Sequence, residues 1–163
     1  MMLDNTPPLV IFAIGNESRG DDALAPLLLR SLPPALAARS VQFECLEEFQ
    51  LQIEHVLDLQ NRTTVLFIDA GMDTPAPFAF YRIQADQDAM LYSHALTPAA
   101  LLKVYAQCEP TPPPAAFVLC IRGESFELGE PLSAPATANL AVAQVFLQGL
   151  LNAEEVDWAQ HCT

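Results

Sequence analysis

The chain has 163 residues, of which 52% are apolar and 17% are charged. A chain of this length can bury one core of ordinary size, so a single domain is expected and two full domains are not. Twenty acidic residues against seven lysines and arginines give a formal net charge of −13, which disfavours nucleic acid and anionic membranes as partners and favours a basic protein surface.

The cysteine pattern and the N-terminal residues predict a cytoplasmic protein. The four cysteines show no CxxC spacing, and a core of this size does not need disulfides, so reduced thiols are expected. The first residues lack a basic segment followed by an apolar run, and no stretch of about 18 apolar residues is free of charge and proline. We therefore expect no export signal and no membrane span, and we expect the protein to act as a monomer.

Short apolar runs rich in branched residues predict strands along the chain. Those at 9–14, 64–68 and 117–121 are continuously apolar, which is typical of strands buried on both faces. The five predicted strands are 9–14, 41–46, 64–68, 78–83 and 117–121.

Apolar residues at helical spacing predict four helices between and after these strands. The first helix follows Asp21 and Asp22, one of which is its expected N-cap. Thr97 and Pro98 predict the start of the third helix, because threonine caps well and proline is tolerated at the first helical position. The expected inward positions of the other two helices are Phe49, Ile53, Val56 and Leu57 before Asn61, and Val142, Val145, Phe146 and Leu150 within 136–151.

The order of the predicted elements is β-α-β-α-β-β-α-β-α, without internal repeats. This order predicts a single three-layer α/β domain over residues 1–151, with a twisted, mostly parallel sheet of about five strands and helices on both faces. The acidic segment 152–163 is expected to form a loosely held tail.

Three segments fall where an open α/β sheet binds ligands, beyond the carboxyl ends of its strands. They contain Asp22 after the first strand, Asp69 after the third and His94 before the Thr97 helix. Two carboxylates and one imidazole from separate loops suit a divalent ion such as nickel, iron or zinc and leave coordination positions open. Each residue alone also has a simpler interpretation: a helix cap for Asp22, a turn cap for Asp69 and a surface histidine for His94.

The remaining candidates for chemistry are weaker. His55 is expected to be solvated, His161 lies in the predicted tail, and Cys120 lies within a strand as an inert core thiol. The sequence contains no GxSxG elbow, P-loop or HExxH motif.

The segment Ile14-Gly15-Asn16, followed by Arg19-Gly20-Asp21-Asp22, resembles the opening motif of the [NiFe]-hydrogenase maturation proteases. Ile68-Asp69-Ala70, Ser93-His94 and the segment 121–129 resemble later blocks of the same family in the same order. The resemblance covers about residues 9–151. It implies an endopeptidase that removes a short C-terminal extension from a hydrogenase large-subunit precursor after nickel has been inserted.

The resemblance also implies roles for individual residues. In that family two acidic residues and a histidine bind the nickel used in substrate recognition, and the matching positions are Asp22, Asp69 and His94. The nickel would be carried by thiolates of the substrate and held only weakly by the protease. Cleavage would use Asp22 and Asp69: either the ion polarises a carbonyl or water, or a carboxylate such as Asp22 acts as general base.

Asn16, Arg19 and Gln50 are the further candidates for substrate recognition. Ala23 and Ala25 stand where family members commonly have glycine, and the segment 44–52 replaces an Asp-Gly-rich loop. The segment Gln50-Leu51-Gln52-Ile53-Glu54 resembles the versions that serve cytoplasmic, cofactor-linked hydrogenases.

Two other functions stay open. One is a nickel-delivery or scaffold protein that binds the same precursor without cleaving it. The other is a small-molecule hydrolase that uses the aspartate-rich crevice for a diffusible substrate.

Overall fold

A computed structural model describes residues 5–39, 42–85 and 96–163. Within these ranges the strands and α-helices are β1 (Leu9–Ile14), α1 (Leu24–Arg30), α2 (Pro34–Ala37), β2 (Phe43–Glu48), β3 (Thr64–Gly71), β4 (Phe78–Ile83), α3 (Pro98–Cys108), β5 (Ala115–Arg122) and α4 (Ala134–Asn152). Short 3-10 helices cover Gly20–Ala23, Ile53–Leu59 and Glu155–His161.

The strands form one sheet in the order β2-β1-β3-β5-β4. The first four of these are parallel to their neighbours, and β4 is antiparallel to β5. The chain leaves β1 for β2 on one side and later returns to β3 on the other, so the strand order reverses between β1 and β3. The predicted α/β fold with a mostly parallel sheet is confirmed, and this reversal is where such sheets form a crevice.

The sheet is covered on both faces. One face packs with α1 and α4, and the other packs with α3 and the Ile53–Leu59 helix. Adjacent residues of β1 serve the two faces: Ile11 belongs to the first apolar cluster and Phe12 to the second. Burial on both faces explains why β1 and β3 are continuously apolar in sequence rather than alternating.

The second predicted helix is a 3-10 helix, and it buries a different face from the predicted one. Phe49, Ile53 and Leu57 are exposed, whereas His55, expected to be solvated, is buried with Val56. A 3-10 helix has about three residues per turn, so residues four apart no longer share a face. The α-helical spacing in this segment was therefore misleading.

His55 stabilises the start of this helix. The Gln52 backbone N–H donates to Nδ1 of His55 at 2.8 Å, and the edge of the imidazole meets the Phe12 ring with centroids 5.4 Å apart. Nε2 of His55 lies 3.4 Å from Oε1 of Glu48 at the end of β2. The residue thus links the helix to the sheet.

Helix α4 buries only part of the predicted face: Leu150 is buried and Phe146 packs against the core, as expected. Val142 and Val145 are exposed, and Ala143 and Leu147 are buried instead. The helix has no charged residue, so its sequence does not distinguish the buried face from the exposed one. Among the described residues α4 is the one helix long and apolar enough to cross a membrane by length and composition, but it packs on β5 and α1 as a core helix does.

The segment 152–163, expected to be a loose tail, packs against the sheet. Trp158 is fully buried beside the rings of Phe80 and Phe117. Its Nε1–H donates to the Leu150 carbonyl at 3.0 Å, and the Thr163 N–H donates to the Phe80 carbonyl at 2.9 Å. One large aromatic side chain supplies enough buried area to hold an otherwise acidic segment in place.

Candidate functional site

The crevice begins where the chain leaves β1. The chain passes through Gly15 and Asn16 and then turns back through the Gly20–Ala23 helix, which contacts β3. Gly15 has a φ of +157°, and a Cβ at this position would overlap the backbone oxygen of Asp22. Only glycine therefore lets the backbone of Asp22 cross the end of β1 so closely.

Asp22 is half-buried at this crossing. Its Oδ2 accepts a hydrogen bond from the Asn16 N–H at 2.7 Å. Neither the Gly20–Ala23 helix nor α1 has a side-chain N-cap, so the cap role expected for Asp21 or Asp22 at this helix is wrong. Within the residues that the structure describes, Oδ1 of Asp22 accepts no hydrogen bond, which leaves it able to bind a cation or a donor from a substrate.

Asp69 lies on the other side of the crevice. Strand β3 is longer than predicted and ends at Gly71, so Asp69 belongs to the strand itself and pairs in register with Cys120. Its Oδ1 accepts the Ala70 N–H at 2.8 Å. Burial raises the pKa of Asp69 to about 6, and the nearby charge of Asp22 adds to the increase. The two carboxylates therefore repel each other, and a shared cation or proton would stabilise them.

Asp21 differs from its neighbour because it is fully buried and fully hydrogen-bonded. Its Oδ1 accepts the Ser133 N–H at 2.8 Å, and its Oδ2 accepts the N–H groups of Glu124 at 2.7 Å and Ser125 at 3.1 Å and the Ser133 hydroxyl at 2.6 Å. Burial alone would raise the pKa of Asp21, but these donors hold it below its ordinary value. Asp21 is a structural residue that sequence reasoning did not separate from Asp22.

The loop after β5 is bound to the walls of the crevice by further backbone hydrogen bonds. Gly20 has a φ of +53°, and a Cβ there would overlap the Ser125 carbonyl, so this close approach also requires glycine. The bonds run from the Asp21 N–H to the Ser125 carbonyl at 2.8 Å, from the Gly129 N–H to the Ser18 carbonyl at 2.7 Å, and from the Gly123 N–H to the Gly71 carbonyl at 3.0 Å.

Arg30 joins the loops that follow β1 and β2. Its Nη1 and Nη2 each donate to Glu17 at 2.8 Å, and its Nε donates to Glu47 at 3.1 Å. These hydrogen bonds to Glu17 and Glu47 raise the pKa of Arg30 above its ordinary value. The guanidinium therefore stays charged and pairs with two carboxylates at this edge, which leaves one net negative charge there.

The three residues expected to take part in substrate recognition occupy different positions. Asn16 is half-buried beside Asp22, and its Oδ1 accepts the Ser18 N–H at 2.9 Å. Arg19 is exposed, and within the described ranges it has no ion pair. Gln50 is exposed in the loop after β2, beyond β1 from Asp69. Asn16 is thus next to Asp22, and Gln50 is farther out along the same edge.

His94 lies outside the described residues, so its predicted position beside Asp22 and Asp69 stays a prediction. In residues 5–39, 42–85 and 96–163 no group of three or more histidine, cysteine or acidic side chains is placed to hold a metal ion. Helix α3, which follows His94 in sequence, begins at Pro98, and the Thr97 hydroxyl accepts the Ala100 N–H at 3.1 Å, as predicted.

The cysteines do not form an alternative site. Cys45, Cys108, Cys120 and Cys162 are all free. Cys120 is the one beside Asp69, and its Sγ lies 2.9 Å from Oγ1 of Thr74. Burial raises the pKa of the Cys120 thiol, which keeps it protonated and unreactive near neutral pH.

Several solved structures to which this chain is similar are hydrogenase maturation proteases. The chain is similar to the [NiFe] hydrogenase maturation protease HycI from Thermococcus kodakarensis KOD1, with a TM-score of 0.64, 17% identity and coverage of 91% of this chain and 94% of that one. It is similar to the maturating endopeptidase HybD from E. coli, with a TM-score of 0.65, 19% identity and coverage of 87% and 91%. It is also similar to a hydrogenase 2 maturation peptidase from a Thaumarchaeota archaeon, with a TM-score of 0.58, 18% identity and coverage of 90% and 99%.

These comparisons establish the fold over nearly the whole chain. No family model and no curated protein matches the sequence. The structural likeness agrees with the family that the motif around Asn16 and Asp22 resembles.

Proposed function

We propose that the protein is a hydrogenase maturation endopeptidase, which removes the C-terminal extension of a [NiFe]-hydrogenase large-subunit precursor after nickel insertion. It would do so as a cytoplasmic monomer. The observation that carries this proposal is the position of Asp22 and Asp69. These are the two aspartates to which the resemblance assigns nickel recognition, and they are close enough for the charge of Asp22 to raise the pKa of Asp69.

In this proposal the nickel belongs to the substrate. Asp22 offers an oxygen that accepts no hydrogen bond in the described part of the chain, Asp69 offers a buried carboxylate, and His94 is the proposed third ligand. Two carboxylates and an imidazole suit nickel but leave positions open, so thiolates of the precursor would complete its coordination. The protease would then bind a loaded precursor better than an empty one, because the cation relieves the repulsion between the carboxylates.

The proposed cleavage is a hydrolysis in which water adds to the carbonyl carbon of the scissile bond. A carboxylate accepts the proton of the water and returns it to the leaving amine. Asp69, with a pKa of about 6, is a better proton acceptor near neutral pH than an ordinary aspartate. Asp22 is the other candidate for the general base. The alternative to general-base catalysis by either aspartate is polarisation of the carbonyl by the nickel of the substrate.

The test is incubation of the purified protein with nickel-loaded and nickel-free precursor under reducing conditions, followed by the mass of the large subunit. We expect cleavage of the loaded form to be about a hundredfold faster, which corresponds to about 3 kcal/mol of differential binding. Equal rates would reject recognition through nickel. Binding of the loaded precursor without any change in mass would reject the endopeptidase and support a nickel-delivery or scaffold protein.

A further inference from the structure

Three large apolar side chains are exposed at the edge of the sheet that holds Asp22 and Asp69. Phe49 is 73% exposed, Met72 is 59% exposed and Leu128 is 68% exposed. They follow β2, β3 and β5, whose carboxyl ends lie together at this edge. These three apolar side chains therefore follow strands that end at the same edge of the sheet as the carboxylates.

The backbone beside each of these side chains is fixed by a hydrogen bond between crevice loops. In each case the bonded residue is the immediate neighbour in sequence of the exposed one. The three bonds are from Gly15 N–H to the Glu48 carbonyl at 2.9 Å beside Phe49, from Gly123 N–H to the Gly71 carbonyl at 3.0 Å beside Met72, and from Gly129 N–H to the Ser18 carbonyl at 2.7 Å beside Leu128.

Fixed backbone makes these side chains suitable for binding another molecule. A single exposed apolar residue is ordinary on a protein surface. Several around one crevice are typical of an interaction surface. Because the supporting backbone is already ordered, these loops lose less conformational entropy when a partner covers the three side chains.

The same edge carries an excess of negative charge. Arg30 pairs with both Glu17 and Glu47, which leaves one net negative charge, and Arg122 pairs with Glu124 at 3.2 Å. Further acidic side chains from the same loops are not neutralised by a lysine or arginine within the described ranges: Asp73, Glu127 and Glu130. A partner that covers this edge should therefore present lysine or arginine side chains around an apolar area.

We infer that Phe49, Met72 and Leu128 form an apolar rim on which the substrate protein docks, and that the docked surface of the precursor is apolar with basic residues around it. The inference rests on the proposed function, because the occupant is the precursor proposed above. Contact with the rim would hold the scissile segment over Asp22 and Asp69.

The test measures the affinity of purified nickel-loaded precursor for variants made in an Asp69→Asn background, which we expect to prevent cleavage during the titration; the mass of the precursor after the titration checks this. We expect Phe49→Ser and Leu128→Ser each to raise Kd about tenfold, because each removes an apolar contact. Val145→Ser is the matched control: Val145 is 74% exposed on α4, away from the crevice, and its loss should leave Kd unchanged. Thermal unfolding checks that every variant is folded.

Affinities of both rim variants equal to that of the control would overturn the inference. Salt provides a second measurement: raising the ionic strength should weaken binding of the precursor if basic groups face the acidic edge, and binding that is insensitive to salt would contradict the basic character of the partner surface.

The outcomes also separate this inference from the proposed function. If the chain with Asp69 intact leaves the mass of the precursor unchanged while Phe49→Ser weakens binding, the endopeptidase proposal fails and the rim is supported. If that chain cleaves the precursor and Phe49→Ser and Leu128→Ser leave KM unchanged, the rim is rejected and the endopeptidase is supported.

Discussion

Ser133 and Asp21 are joined by two hydrogen bonds, one from the backbone N–H to Oδ1 at 2.8 Å and one from the hydroxyl to Oδ2 at 2.6 Å. Ser133 is also the N-cap of α4, where its Oγ accepts the Ala136 N–H at 3.3 Å. The carboxylate that precedes Asp22 is therefore anchored at the start of the longest helix described. Two adjacent aspartates thereby have opposite roles, one structural and one available for chemistry.

Replacing Asp21 by asparagine should destabilise the fold. The amide places an N–H group where the carboxylate accepts hydrogen bonds from Glu124, Ser125 and Ser133, so at least one buried donor loses its acceptor. We expect a loss of about 3 kcal/mol in the free energy of unfolding, measured with urea. Asp22→Asn is the matched control and should cost about 1 kcal/mol or less, because its amide oxygen can still accept the Asn16 N–H. Equal losses would contradict the structural role of Asp21.

The contribution of Asp21 should depend on pH. Its folded-state pKa is lowered by its hydrogen-bond donors, so its stabilising effect is fully present above the unfolded value of about 3.9 and is lost as the pH falls through the folded value. We therefore expect the difference in unfolding free energy between the original chain and Asp21→Asn to be constant above about pH 5 and to shrink in more acidic solution. A difference that grows on acidification would contradict a lowered pKa of Asp21 in the folded protein.

Asp69→Asn should separate stability from activity. The pKa of Asp69 is raised to about 6, so ionisation of this residue destabilises the fold, and stability should fall as the pH rises from about 4 to about 6. The asparagine removes this charge and can still accept the Ala70 N–H. We expect the variant to be more stable than the original chain at neutral pH, by at most about 3 kcal/mol, and to leave the mass of the precursor unchanged. Normal cleavage by the variant would show that Asp69 has no role in cleavage.

His55→Ala should destabilise the protein without affecting cleavage. It removes the acceptor for the Gln52 N–H and the contact with Phe12, and we expect a loss of about 2 kcal/mol in chemical unfolding. Leu57→Ala is a suitable comparison, because Leu57 is exposed on the same 3-10 helix and should cost less than about 0.5 kcal/mol. A reduced cleavage rate in a folded His55→Ala protein would assign this histidine a role in the site.

The fold could be predicted because its signals are local. Continuous apolar runs mark β1, β3 and β5, and the alternation of strands with helical segments indicates a parallel sheet. The location of Asp22 and Asp69 at one edge follows from that topology. The Thr97 cap was also predictable, since threonine followed by proline is a local pattern.

The role of Asp21 was not predictable from the sequence. Its partners lie more than about a hundred positions away and are mostly backbone N–H groups, which any residue except proline carries, so no residue pattern marks them. The exposure of Val142 and Val145 on α4 and the burial of Trp158 were missed for a related reason. Both depend on which surfaces meet in three dimensions, and an uncharged helix or a single tryptophan in an acidic segment gives no periodic signal.

The burial of Trp158 has a practical consequence for these experiments, because it is the chain's single tryptophan. Its indole lies beside Phe117 and shares a cavity wall with Pro8 and Leu9, at the amino ends of the strands. The crevice with Asp22 and Asp69 lies at the opposite ends. The intrinsic fluorescence of this protein should therefore report whether the sheet is intact while staying insensitive to what is bound at the crevice, so each variant carries its own folding indicator.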